Sequence, residues 1–326
     1  MSKQPQAGNK KSFLGLATEH FLAPLPLPTG RKPNNTMGMV WRINDTYMDV
    51  SDCTPGSAVA TLHFMLVISI LFITWMSHAL GTSFSHQWPI VAMTLCFVIA
   101  PIIAIIILIY VKPREPMRFN RQRREVCVPA MKGGDYWYVP WETVKASVEG
   151  FNMVSQAGVN KNGSFMIGFP NPNFTGNIKL ESNGYCDDEN AERHLLFLNI
   201  VPEVGAGMWE LIRTYMEEGA DKINVDISNF EVRKEGIIES YITDVKETIA
   251  KRGAFFAFWW DGVFGLILLN TLLVDYIQRK HLNPPPDLIG DEVEAWSKPL
   301  PEEQWAKRSP ELEQALRELE AKQSVA

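Results

Sequence analysis

Two runs without a single charged side chain constrain this sequence more than anything else in it. Ser57–Leu80 reads SAVATLHFMLVISILFITWMSHAL, and Pro89–Val111 reads PIVAMTLCFVIAPIIAIIILIYV. At 1.5 Å per residue, each run matches a hydrocarbon layer about 30 Å thick. Backbone in lipid must satisfy its own polar groups, so both runs are expected to be helical. The short link GTSFSHQW then ties 57–80 and 89–111 into a transmembrane hairpin. Trp88 and Tyr110 fall where interfacial aromatics belong, and Pro101 is expected to kink the second helix.

Orientation follows from the basic residues. The link carries no Lys or Arg. Lys112, Arg114, Arg118, Arg121, Arg123 and Arg124 follow the second run, and Arg31, Lys32 and Arg42 precede the first. This pattern places both termini in the cytoplasm and only the link on the far side. The start, MSKQPQAGNKK, is not followed by a signal-type apolar core, so cleavage and export are not expected.

The remainder divides by pattern. Residues 1–56, rich in Pro, Asn, Gly and Lys, are expected as a flexible arm, because LAPLPLPTG cannot be helical. From Met117 to about Asn199, short stretches read as strands: RFNRQRREVCVP, DYWYVPWETVKASVEG, GSFMIGF, GNIKLES and HLLFLNI. Turn signals at Lys132-Gly133-Gly134-Asp135, Lys161-Asn162-Gly163 and Asn183-Gly184 separate them. In VGAGMWELIRTYMEEG, Met208, Leu211, Ile212 and Tyr215 fall at i, i+3, i+4 and i+7, one face of an amphipathic helix that Gly219 terminates. A second helix is expected over Ile237 to about Lys251. The expected class is therefore an α+β membrane protein. Its transmembrane hairpin carries a cytoplasmic antiparallel β domain, residues 112–252, closed by a helix. That order is pleckstrin-homology-like, an analogy of fold that carries no ligand with it.

Gly253–Ile277 is a third apolar stretch, interrupted by Asp261, Asn270 and Asp275. A carboxylate at the bilayer centre costs about 2.5–3.5 kcal/mol on insertion scales. Residues 253–280 are therefore expected as a hydrophobic helix at the membrane interface rather than a third span. Residues 281–326 form an acidic tail. From 287 onward it holds ten acidic and five basic residues. PELEQALRELEAKQ within it is expected as a solvent-exposed helix.

Function classes can be narrowed by what is missing. A net charge of −6 over 326 residues gives no basic field for nucleic acid. The sequence lacks a dinucleotide fingerprint, a P-loop, a zinc-protease motif and a nucleophile elbow. The six histidines are scattered. Cys53, Cys96, Cys127 and Cys186 lack C-x-x-C spacing, so neither a zinc site nor a disulfide framework is expected. Cys186-Asp187-Asp188-Glu189-Asn190 lacks the order of a calcium loop. No catalytic residue, metal or cofactor is assigned, and an enzyme is not expected. Two groups of residues remain as candidates for binding a partner or lipid. Arg118, Arg121, Arg123 and Arg124 would meet an anionic leaflet directly after the second span. Trp137, Trp141, Trp209, Trp259 and Trp260 are of the type that builds cores, interface anchors or partner hot spots.

Arg118-Phe119-Asn120-Arg121, Val139-Pro140-Trp141-Glu142 and the run Trp209–Gly219 resemble a family of two-span proteobacterial inner-membrane proteins. Its members carry a membrane hairpin followed by RFNR, VPWE and WxxIRxYMExG stretches, and they are often associated with type VI secretion clusters. The resemblance spans roughly residues 55–280. It implies a multi-pass protein of the bacterial inner membrane beside a secreted toxin, as immunity protein or accessory factor. It brings no catalytic residues. The expected function is a membrane-anchored, non-enzymatic interaction protein whose partners are a toxin or secretion component and membrane lipids. A membrane-damaging secreted effector and a cytoplasmic lipid-headgroup-binding module stay open as alternatives. An enzyme acting on lipids or peptidoglycan precursors is the least supported reading.

Overall fold

The computed structural model describes residues 7–13, 17–35, 38–51, 55–80, 88–130, 135–155, 158–177, 179, 184–225 and 236–324. The chain has two compact units, each discontinuous in sequence. Unit 1 comprises Met1–Asp52, Glu115–Ile227 and Asp287–Ala326; unit 2 comprises Cys53–Arg114 and Ser228–Pro286.

Unit 1 is built on two antiparallel five-stranded sheets. The first joins β1 (Lys10–Phe13), β2 (Ala17–Ala23), β8 (Lys145–Ser155), β9 (Gly158–Pro170) and β10 (Glu192–Leu198), in that spatial order. The second runs β3 (Val40–Ile43), β4 (Tyr47–Val50), β5 (Met117–Asn120), β6 (Glu125–Val128) and β7 (Trp137–Pro140). With the helices, this is an α+β protein whose sheets are both antiparallel. Burial alternates along β2, β7 and β10, as a period of two requires, while every residue of β5 is buried. Val126 and Val128 of β6, Phe165, Ile167 and Phe169 of β9, and Leu195 and Phe197 of β10 all enter one core. Helix α3 (Pro202–Glu218) closes that core with Met208, Leu211, Ile212 and Tyr215, each fully buried. Their spacing is the one the sequence pattern predicts.

Three expectations need correction here. The first 56 residues are not a free arm where they are described. Two of their four strands pair with segments more than sixty residues away, β2 with β8 and β4 with β5, and β1 and β3 pair onto these two. Short apolar runs such as Phe21-Leu22 were too brief to reveal this alone, since pairing supplies half of a strand's stability from elsewhere. Nor does the 281–326 tail stand away in solvent. Leu288, Val293 and Trp296 pack on Cys127, Tyr136 and Tyr138, with Val293 and Trp296 lying on the short helix α7 (Asp291–Trp296). The third correction concerns Lys161-Asn162-Gly163, which lies inside β9 rather than in a turn. Gly163 faces Gly150 across the strand pair, and a Cβ at Gly163 would collide with the carbonyl of Glu149. Its glycine serves a close backbone approach, not a reversal. The expected strand GNIKLES and the expected turns at 132–135 and 183–184 fall largely outside the described residues.

Unit 2 is helical. Helix α1 (Pro55–Leu80) packs against α2 (Trp88–Tyr110), which contains Pro101. Then come α4 (Ile237–Arg252), α5 (Ala254–Ala257), a π-helical segment Phe258–Leu269 and α6 (Thr271–Leu282). The chain bends by 65° between Ala254–Leu269 and Thr271–Leu282, around Asn270 at φ 53°. Asn270 accepts a hydrogen bond from the Leu273 amide and so caps α6. The expected single helix over 253–280 is thus two helices with a break. Among the described residues, Ala58–Met76 of α1 is long and apolar enough to cross a membrane, and the bent pair would be a second if taken as one span. Leu95–Tyr110 of α2 is a shorter apolar stretch. The tail ends in α8 (Pro310–Gln323), whose Ser309 cap accepts from the Leu312 amide.

Candidate functional site

Of the four arginines expected at a membrane surface, Arg118 and Arg124 turn inward to carboxylates of unit 1, while Arg121 and Arg123 stay partly exposed. Arg118 on β5 is almost wholly buried and grips Asp49 of β4 through two hydrogen bonds of 2.7 and 2.8 Å. Its third donor reaches Asp287 at 2.6 Å and its fourth reaches Ser297 at 3.0 Å. Arg42 joins the same two carboxylates at 3.1 Å each. Burial opposes charge on Arg118, but the bidentate bond to Asp49 more than offsets it and raises its pKa. Arg123 donates to the Trp296 carbonyl, and Arg121 lies 5.2 Å from the ring centre of Trp305. These two contact the segment that follows residue 287.

Arg124 has a positive φ of 52° in the β5–β6 turn, which aims its guanidinium at Glu142 and Glu217, both 2.8 Å away. Glu217 also accepts from the Trp141 indole at 2.9 Å and from Arg308 at 2.7 Å. Burial alone would raise the Glu217 carboxyl, but the hydrogen bonds from Arg124, Trp141 and Arg308 hold it below the usual carboxylate range. These partners, Asp49, Glu142, Glu217 and Asp287, carried no local signal in the sequence. Arg42 is seven residues from Asp49, but Asp49 and Asp287 lie 69 and 169 residues from Arg118, and Glu217 lies 93 from Arg124.

The tryptophans divide between the units. Trp141 and Trp209 are buried and stacked at 5.2 Å, and Trp137 is buried in the same core. None of the three is available to a partner. Trp259 and Trp260 of unit 2 are 52% and 53% exposed. They belong to an aromatic run in which Phe256, Trp260 and Phe264 stack in sequence at 5.9 and 5.3 Å.

Exposed apolar surface is the dominant feature of unit 2. Only 6% of the Ala58–Met76 stretch is buried inside the protein. Met65, Leu71, Phe72 and Trp75 on α1, and Phe97, Ile103 and Ile107 on α2, are all exposed. Polar groups are set into this surface at few points. His63 Nε2 lies 3.2 Å from the Ile267 carbonyl, next to the break at Asn270. Tyr241 on α4 donates to the Asp261 carbonyl at 3.1 Å. His281 at the end of α6 meets the Leu108 carbonyl at the end of α2, 2.9 Å away. Asp261 Oδ2 and Thr271 Oγ1 are buried without a hydrogen-bond partner among the described residues.

Unit 1 has a cavity of about 400 Å³ between β2, the start of α3 and Leu319 of α8. Lys10, His20 and Arg31 line it together with Glu203. Burial, then the nearby Lys10, lowers the His20 pKa. Cys127 is free and buried, and burial pushes its thiol up to about 12, which makes it a poor nucleophile. Among the described residues, no three His, Cys, Asp or Glu side chains come together as metal ligands.

The chain matches no family model, no curated protein and no solved structure.

Proposed function

We propose that this protein is a membrane-anchored, non-enzymatic interaction protein, held in the bilayer by α1 and α2 and presenting unit 1 to a protein partner on one side. The observation that carries the reading is the 6% burial of Ala58–Met76. A core helix of a soluble protein covers its apolar side chains with other protein. Here they have no such cover, and burying apolar area in lipid gains roughly 25 cal/mol per Å². A cleaved leader is a poor account of this helix, because β2 and β4 precede it and pair with strands that follow it.

Pairing also supports a hairpin with two crossings. Val50 and Met117 are direct partners in the β4–β5 ladder. The chain that leaves the sheet after Val50 must therefore return to the same place, and so to the same side of any membrane between. An even number of crossings follows, and α1 with α2 supplies two. Basic residues flank both outer ends, which favours the cytoplasmic side for unit 1.

The partner is proposed to be a toxin or component of a type VI secretion system, a reading that rests on the sequence resemblance alone. Masking by binding, rather than turnover, would then be the mode of action. Alkaline extraction tests the anchor: the chain should stay with the membrane, and Leu71→Arg should weaken retention. Co-purification beside the products of neighbouring genes tests the partner. A stoichiometric toxin, with protection of sibling cells, would support the immunity role. A chain recovered alone that arrests growth would favour a membrane-damaging effector.

A further inference from the structure

We infer that residues 237–282 form a lipid-surface element that lies in the headgroup–acyl boundary on the side of unit 1 and never crosses the bilayer. The inference rests on the proposed anchoring by α1 and α2 and adds to it a second, non-spanning contact with lipid.

Chain continuity gives the first argument. Residues 228–286 leave unit 1 and return to it. On return, Asp287 bonds Arg118 of β5 at 2.6 Å, and the Trp296 indole bonds Glu125 of β6 at 2.9 Å. The excursion must therefore make an even number of crossings. Helix α4 cannot supply one, since Glu239, Asp244, Lys246, Glu247, Lys251 and Arg252 lie along it. If the bent pair crossed once, Asp287 would end opposite its own ion-pair partner. Two crossings would need α6 to span by itself, and its 12 residues rise only about 18 Å against a layer of about 30 Å, which leaves zero crossings.

Register within unit 2 gives the second. The Gln278 side chain lies over Gly56, at the start of α1, while Ile267 lies against His63. Contacts along α1 thus run in reverse order along the bent pair, so α6 travels back toward the end where α1 begins. His281 reaches the Leu108 carbonyl near the end of α2, which is the other end of the hairpin on that side. The break at Asn270 lies near the level of His63. Eight residues separate His63 from Pro55, a rise of about 12 Å, well short of a layer of about 30 Å. The stretch before the break departs from α6 by 65°, so the bent pair cannot follow α1 as one straight helix through the layer.

Surface chemistry gives the third. Ile238, Ile242 and Ile249 of α4 recur at helical spacing on one face, and all three are exposed. Phe255, 80% exposed, and Phe258, Trp259 and Trp260 continue the apolar surface beyond Gly253. Lys251 and Arg252 stand before these aromatics and Lys280 after them. Aromatics beside lysine and arginine suit an interface where phosphate groups meet acyl chains, and such helices sink about 5–10 Å. A phospholipid surface is the occupant that meets all of these features at once.

The test places one environment-sensitive fluorescent amino acid at 242, 255 or 71 in the otherwise native chain. The chain is reconstituted into phosphatidylcholine vesicles brominated either near the head or near the end of the acyl chain. Probes at 242 and 255 should lose more emission to the shallow bromines, and the probe at 71 more to the deep ones. Protease added to one face should remove amino- and carboxy-terminal tags together. Tags cleaved from opposite faces would overturn the inference, as would probes at 242 and 255 that neither lipid quenches while 71 is quenched. If the probe at 71 also escapes both lipids, the membrane reading itself fails, and the inference falls with it.

Discussion

Unit 1 and unit 2 solve opposite problems with the same residue types. Unit 1 hides Trp141 and Trp209 in a stack and buries Arg118 against Asp49, so these aromatics make the core and Arg118 and Arg124 are tied up in internal ion pairs. Unit 2 exposes Trp75, Phe97 and Trp259 and keeps its polar contacts few and internal, such as His63 to a backbone carbonyl. An arginine after an apolar helix therefore need not face lipid, and a tryptophan need not be core. Which role each takes depends on whether a pairing partner arrives from elsewhere in the chain. Asp49 arrives on the neighbouring strand for Arg118, whereas no protein surface arrives for Phe72.

The contrast can be broken most forcefully at Arg118. Arg118→Ala leaves Asp49 without its bidentate partner and should cost unit 1 about 3–5 kcal/mol. It should also loosen the tail, since Asp287 and Ser297 lose a donor. Denaturant unfolding measures the first effect and protease sensitivity of residues 287–324 the second. If Arg118 faced lipid instead, unfolding would barely change.

Next in size is Leu71→Arg on α1, where an added charge at depth should cost about 2.5–3.5 kcal/mol of insertion. Fractionation should show more chain outside the membrane, with unit 1 still folded. An unchanged distribution would place Leu71 outside lipid.

Two buried carboxylates in unit 1 should respond to pH in opposite directions. Glu217 is held below its usual 4.5, so its pairs contribute stability that is present above that pH and lost as pH falls below it. Glu19 is the reverse. Its side chain is buried, and burial, then Glu149, raises its pKa above 4.5 against the smaller opposing pulls of Ser147 and Lys11. Its penalty is small in acid and grows as pH rises. Glu19→Gln should therefore stabilise the protein at neutral pH by about 1 kcal/mol, and the gain should shrink in acid. Thermal unfolding across pH checks both; a destabilised Glu19→Gln would mean that the pulls of Ser147 and Lys11 outweigh the cost of burial.

The smallest effect sharpens the contrast from the other side. Trp259→Ser should change unfolding of unit 1 by less than about 0.5 kcal/mol, because surface substitutions seldom do more. A drop in stability like that expected for the buried Trp209, about 3–5 kcal/mol on truncation, would assign Trp259 to a core.

Legibility in the sequence followed the range of the interaction. The α3 face was readable because Met208, Leu211, Ile212 and Tyr215 meet a local 3.6-residue rule, and the helix expected from Ile237 to about Lys251 is α4. The strands of residues 117–128 were readable from alternation. The second sheet's first two strands were not, because Val40–Ile43 and Tyr47–Val50 are four residues each and gain their order from β5. The arginine site was misread for a related reason. Composition after an apolar run gives a topology signal, but it cannot show that Asp49 and Glu217 sit within 3 Å of the guanidiniums. The break at Asn270 was also missed. A left-handed asparagine capping a helix leaves only a polar residue in an apolar run, a mark that Asp261 and Asp275 share.

The account stands or falls on where the link between α1 and α2 lies. A protease-sensitive tag inserted in residues 82–88 would be compared with tags at both termini, in sealed vesicles of each orientation after alkaline washing. The account predicts that the chain stays in the membrane, and that the link tag is cut only from the face opposite the two terminal tags. A link tag cut from the same face as the termini, or a chain released by the wash, would contradict it.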